Sequence, residues 1–227
     1  MTSADFANAR TTRDRAVLPL ALTEFADAEV RRHERRNALH TARGLLEIAR
    51  HARQGPDPFA APPDVPLARA GEVVRQVGNP VVRAQLLGKL LAASERGIRL
   101  RISPDSFLPR EIDAAAEVVA VVGNLIDNAF DAVTESGRAT PTVEVTLRHN
   151  KGVIELSVSD NGTGVDPRLR RRIFDRGVSS KRSSPARPRG IGLSLVRAIT
   201  EERRGSITVG DREGGGAVFT VRVGRRV

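Results

Sequence analysis

The spacing of apolar residues changes at Gly97, and the change requires two kinds of structure in one chain. From about Arg13 to Arg53, Leu18, Leu22, Phe25, Leu39, Ala42, Leu46 and Ala49 recur at three- and four-residue steps. That is the period of an amphipathic helix. Past Gly97, Ile98, Leu100 and Ile102 alternate with arginines, the period of a strand with one buried face.

Upstream, the stretch GPDPFAAPPDVP, Gly55 to Pro66, breaks the first helix, because prolines remove backbone donors and push the preceding residues out of helical geometry. A second helical stretch is predicted from about Leu67 to Arg96, with Leu86, Leu87, Leu90 and Leu91 on its apolar side and Asn79-Pro80 interrupting or restarting it. Two helices joined by a loop are too thin to bury their own stripe, so pairing with a second copy into a four-helix bundle is expected. The expected assembly is a homodimer. Downstream, the order is the Ile98–Ile102 strand, a helix over Glu111 to Val133, the strands VEVTLRH and VIELSVSD around the turn Asn150-Lys151-Gly152, a helix over Leu193 to Glu202, and a glycine-turned hairpin. The fold class expected is α+β: residues 1–96 form the dimerising hairpin, and residues 97–227 form an α/β sandwich of helices against a mixed sheet.

Composition narrows the chemistry. With no cysteine and four scattered histidines in 227 residues, disulfides, thiolate metal sites and a zinc site are not expected. No apolar run has the length of a membrane span and the N-terminus lacks the apolar stretch of a signal peptide, so a cytoplasmic protein is expected. The net charge of +10 invites a nucleic-acid reading. Against it, the positive charge is almost all arginine spread along the chain among 27 acids, and Trp and Tyr are absent, leaving few stacking platforms for bases. No direct contact with nucleic acid is expected.

Three short segments carry chemistry. In VVGNLIDNAFDAV, Asn124 and Asn128 lie four residues apart and so share a helix face. Amide oxygens are hard neutral ligands suited to magnesium, although two such asparagines also serve as ordinary helix-packing hydrogen bonders. In SDNGTGVD, Asp160 ends a strand and Gly162 and Gly164 follow; the carboxylate suits an exocyclic amine, and the glycines permit close backbone approach. In RGIGLSLVRAI, Gly190 and Gly192 precede a helix whose free N-terminal donors suit phosphate.

In order, NLIDNAFDA, DNGTG, RGIGLSL and GGGAVFTV resemble the N, G1, G2 and G3 boxes of the nucleotide-binding fold shared by gyrase-type ATPases, heat-shock-90-type chaperones, histidine kinases and bacterial serine kinases. The resemblance covers Ile98 to Val223. It implies ATP and Mg2+ as cofactors, with Asn128 on the metal, Asn124 supporting the triphosphate, Asp160 reading adenine N6, and Gly162, Gly164, Gly190 and Gly192 shaping the pocket. Phe174 resembles the family's F box, and Asp175 to Arg189 its lid, with Lys181 in the position of a phosphate ligand. Gyrase-type and chaperone ATPases carry a glutamate at the position of Asn124. Without that general base, transfer to a protein acceptor is favoured over hydrolysis.

RRHERRNALHTARGLLEIAR supplies an acceptor. His33 is followed by Glu34, with Asn37 one turn beyond on the same face. Imidazole can attack the γ-phosphorus, and the adjacent carboxylate can orient the ring and take its proton. The pattern His33, Glu34, Asn37, Leu39, His40, Gly44, Leu45 and Leu46 resembles the phosphoacceptor helix of the citrate and dicarboxylate sensor histidine kinases. That resemblance makes His33 the acceptor, Glu34 and Asn37 its catalytic neighbours and a response-regulator receiver domain the partner; His40 is given a packing or hydrogen-bonding role. The family's extracytoplasmic sensor is not among these residues, so either the chain was cut or a separate sensor protein delivers the signal. Three other functions share parts of the pattern: an anti-sigma-type serine kinase, a phosphotransfer scaffold with a vestigial nucleotide domain, and a hydrolytic ATPase.

Overall fold

The computed structural model describes residues 74, 76–175, 178 and 192–224. The expected helix over Arg13 to Arg53, the proline-rich loop, most of the residues leading into the second helix, and the dimer lie outside the described residues.

The first described helix, α1 (Pro80–Glu95), starts where the sequence allows a restart. Asn79 adopts extended geometry and its side-chain oxygen accepts from the Val81 and Val82 amides, while Pro80 occupies the first helical position, where no donor is needed. The Asn79 amide also donates to the Arg110 carbonyl at 3.1 Å, which fastens the helix start to the loop after the first strand. A one-sided apolar stripe is expected of α1, and the structure differs. Val82, Ala84, Gln85, Leu86, Leu87, Gly88, Lys89, Leu90, Ala92 and Ala93 are all buried, so α1 is enclosed on several faces and belongs to the core.

A five-stranded sheet follows, in the order β1-β2-β3-β5-β4. Its strands are β1 (Arg99–Ile102), β2 (Thr142–Asn150), β3 (Val153–Asp160), β4 (Ser206–Asp211) and β5 (Ala217–Val223). β1 pairs parallel with β2, and the remaining pairs are antiparallel, giving the mixed sheet expected. In the β2–β3 turn both Lys151 (φ 48°) and Gly152 (φ 81°) have positive φ, the geometry that matches strand twist in a two-residue hairpin.

Strand alternation sorts the faces. Val143, Val145 and Leu147 of β2, Ile154, Leu156 and Val158 of β3, and Phe219, Val221 and Val223 of β5 are buried beneath the helices. The opposite face carries Thr146, Arg148, Glu155, Ser157, Thr220 and Arg222, as suits a sheet with one wet side. Each large apolar side chain so buried contributes roughly 1.5–3 kcal/mol. Across the dry face lie α1, α2 (Ala115–Glu135) and α3 (Gly192–Glu202), with α2 between the other two. α2 begins at Ala115, later than the Glu111 expected, because the residues before it are held in turns: the Arg110 carbonyl accepts from Asn79 and the Asp113 carbonyl from Arg203. Arg203, just past α3 and 4% exposed, also pairs with Glu117 in the first turn of α2, so the end of α3 is tied to the start of α2.

Candidate nucleotide-binding site

α2 brings the first two candidate residues to the middle of the helical layer. Asn124 is buried, and its amide nitrogen donates to the Ala120 carbonyl one turn back at 2.7 Å. Its side-chain oxygen is buried and accepts no hydrogen bond from a described residue. A buried acceptor left alone is costly, and here it lies where α3 begins: a Cβ at Gly192 would stand 3.0 Å from it. Asn128, one turn further along α2, is half-buried.

Asp160 closes β3, paired in register with Val143 of β2, and is almost fully buried. One carboxylate oxygen accepts from the Gly162 amide at 2.8 Å, which folds the chain back sharply after the strand. Gly162 rests on α2, because a Cβ there would lie 2.5 Å from the Ala132 carbonyl carbon. Gly164 has φ +71°, a conformation natural to glycine, and a Cβ on it would meet the Gly216 carbonyl oxygen at 3.3 Å. Gly216, at φ +109°, lies so close to the Asp160 carbonyl oxygen that a Cβ would approach within 1.9 Å. The glycines of DNGTG and GGGAVFTV are therefore packed on one another and on the backbone that carries Asp160.

Of the expected residues, the structure brings Asn124 to Gly192, and separately gathers Asp160 with Gly162 and, through Gly216, with Gly164. Phe174 is buried, its ring edge-on to Phe219 with centroids 6.4 Å apart. The next residue, Asp175, accepts from Arg197 of α3 at 2.8 Å. Hydrogen bonding to Glu201 chiefly, with help from Asp175, raises the Arg197 pKa further above its already high ordinary value. His33, Glu34, Asn37, His40, Lys181 and Gly190 lie outside the described residues.

Two features escape the motif reading. Asn161, the second residue of DNGTG, engages the start of β2: its side chain accepts from the Thr142 amide at 2.8 Å and donates to the Thr140 carbonyl at 2.8 Å. Lys89 of α1 pairs with Asp127 of α2 at 2.7 Å, with side chains 0% and 8% exposed. The signal was a lone lysine inside the apolar run QLLGKLL.

The donors fit a magnesium nucleotide. They comprise two amide oxygens on one helix, one of them buried with no described partner and close to Gly192 at the start of α3. Hard neutral oxygens suit an ion held partly by phosphates. Residues 114–226 match the sequence pattern of the family described as histidine kinase-, DNA gyrase B-, and HSP90-like ATPase. Residues 114–226 are a domain of this ATPase family.

The chain is similar to sensor kinases over most of its length. It is 33% identical over 200 residues to a probable C4-dicarboxylate sensor kinase of Halalkalibacterium halodurans, covering 87% of this chain and 37% of the relative. It is 32% identical to the sensor histidine kinase CitA of Klebsiella pneumoniae, covering 83% and 34% respectively. Against DcuS of Escherichia coli K12 the identity is 34%, covering 88% and 35%. The chain thus spans about a third of the length of these relatives. Among solved structures, the nucleotide-free catalytic domain of histidine kinase ThkA superposes with a TM-score of 0.50 at 22% identity, covering 67% of this chain and 90% of that one. Full-length ShkA in complex with AMPPNP gives a TM-score of 0.50 at 25% identity, covering 84% and 36%. The fold is that of a histidine-kinase ATPase domain.

Proposed function

We propose that the chain is the kinase portion of a two-component sensor histidine kinase, which phosphorylates His33 from Mg-ATP and passes the phosphoryl group to a receiver-domain aspartate. The observation that carries the nucleotide half is the approach of Gly192 to the buried, unpartnered side-chain oxygen of Asn124 on α2, the helix on which Gly162 of the Asp160 turn also rests. The similarity to CitA- and DcuS-type kinases across residues both before and after Gly97 supports the acceptor half.

In this reading Asn128 holds magnesium, Asn124 supports the triphosphate, Asp160 accepts from the adenine amine, and Gly190 and Lys181 attend the phosphates. Bound magnesium supplies charge neutralisation on the phosphoryl oxygens. A His33 ring nitrogen attacks the γ-phosphorus in line, the bond to the bridging oxygen breaks, ADP leaves, and Glu34 orients the ring and takes its other proton. Asn37 can position water against the phosphohistidine, and dephosphorylation of the partner receiver domain through Asn37 is a secondary activity of the same helix. Residues 1–96 form the dimerising hairpin and residues 97–227 the catalytic unit, with α1 at the junction: assigned to the hairpin by sequence, it is packed against α2 in the core. No described helix is long and apolar enough to cross a membrane; use of ATP and a receiver domain as partner places the working site in the cytoplasm.

The test is phosphotransfer. Chain labelled from γ-labelled Mg-ATP is mixed with a receiver domain and with its Asp→Ala variant. Label moving only to the intact receiver domain is expected, whereas label moving instead to a serine on a separate protein would replace the proposal with the serine-kinase reading.

A further inference from the structure

We infer that Lys89 is a positioning residue for the nucleotide site, acting through Asp127 to fix the turn of α2 that carries Asn124 and Asn128. The inference rests on the ATP-site reading above and adds a part that no nucleotide-box motif contains.

The placement argues for it. The Lys89 ammonium, fully buried on α1, donates to an Asp127 carboxylate oxygen at 2.7 Å. Asp127 is adjacent to Asn128 and three residues beyond Asn124, so all three lie within little more than one turn of α2. Apolar side chains surround the pair in sequence on both helices: Leu86, Leu87 and Leu90 on α1, Leu125, Ile126 and Ala129 on α2, all buried. Two charges taken out of water lose hydration that their attraction only partly returns, and well-packed apolar replacements often stabilise a fold at least as well. Stability is therefore a weak reason for this pair. Register is a better one: apolar side chains tolerate a slide or rotation between helices, whereas a 2.7 Å ion pair tolerates neither. Among the described residues the second Asp127 oxygen is buried and accepts no hydrogen bond, which leaves Lys89 as the described donor to this carboxylate. α1 also lies in sequence between His33 and the ATPase fold, where its register against α2 bears on how the two halves are joined.

The test compares wild type, Lys89→Met and the apolar double variant Lys89→Met/Asp127→Leu, following thermal midpoint and binding of a fluorescent ATP analogue. The single variant strands a buried carboxylate and is expected to lose stability. The double variant is expected to fold with a midpoint equal to or above wild type, yet to bind the magnesium analogue roughly three- to thirtyfold more weakly. Its affinity for magnesium-free ADP, which leans on Asp160 and the glycine turns, is expected to change by less than about twofold. A double variant that regains both stability and magnesium-analogue affinity would make the pair merely structural and overturn the inference. So would a double variant that fails to fold, since the pair would then be a requirement of stability. A wild type that binds no nucleotide would overturn the ATP-site reading first, and the positioning role with it.

Discussion

At Gly162 a single methyl group decides whether the strand end and α2 can meet. A Cβ there would lie 2.5 Å from the Ala132 carbonyl carbon and 2.7 Å from its oxygen, and backbone cannot swing aside as a side chain does. Gly162→Ala is expected to destabilise the fold by about 1–3 kcal/mol, read from urea unfolding. Gly137→Ala is the control: its φ of +63° is unfavourable, but nothing lies within 4 Å, so a loss of only about 1 kcal/mol is expected from left-handed strain. Asp160 has a chemical test as well. Asp160→Asn keeps an acceptor for the Gly162 amide but removes the charge offered to adenine, and about 1.5–3 kcal/mol of ATP affinity is expected to go with it, measured by titration at constant magnesium. The placement of Asp160 and Gly162 together was legible because strand end, carboxylate and glycine turn follow closely in the sequence. The part played by Gly216 in seating them was not, since the contact spans the distance from β3 to the β4–β5 hairpin and leaves no local signature.

At the scale of elements, helix ends and helix ties do the positioning. Asn79 both caps α1 and holds the Arg110 carbonyl; Asn79→Ala is expected to cost about 1–2 kcal/mol of stability, seen in chemical denaturation. Arg203 is a stronger tie because it is nearly buried and engages both Glu117 and the Asp113 carbonyl. Arg203→Ala would remove both of these ties from the partly buried start of α2, for a loss of roughly 2–4 kcal/mol. Strands and hairpin turns were readable from alternation and from Lys151-Gly152, because one wet face imposes a two-residue period on the sequence. The environment of α1 was less readable. A run such as VVRAQLLGKLL is apolar enough to suggest a stripe, and only its packing shows burial that extends to Gln85 and Lys89. Sequence periodicity reports which residues avoid water, and a buried ion pair between two helices hides from it.

For the whole molecule, the order of four short boxes was enough to name the fold, because each box is weak alone and their order along the chain is restrictive. The described residues form one core in which α2 touches α1, α3, β2 and β3, which is how Gly192, far along the sequence, comes to meet Asn124. The hairpin and its dimer rest on helical period and family similarity, and light scattering is expected to give twice the chain mass of 24.5 kDa. The proposed reaction turns on one bond, from a His33 nitrogen to phosphorus. Incubating wild type, His33→Gln and Asn128→Ala with γ-labelled Mg-ATP, then challenging each product with acid and with base, tests it most directly. Label that is acid-labile and base-stable in wild type and missing from both variants is the predicted result; label that survives in His33→Gln, or that withstands acid, would contradict the account.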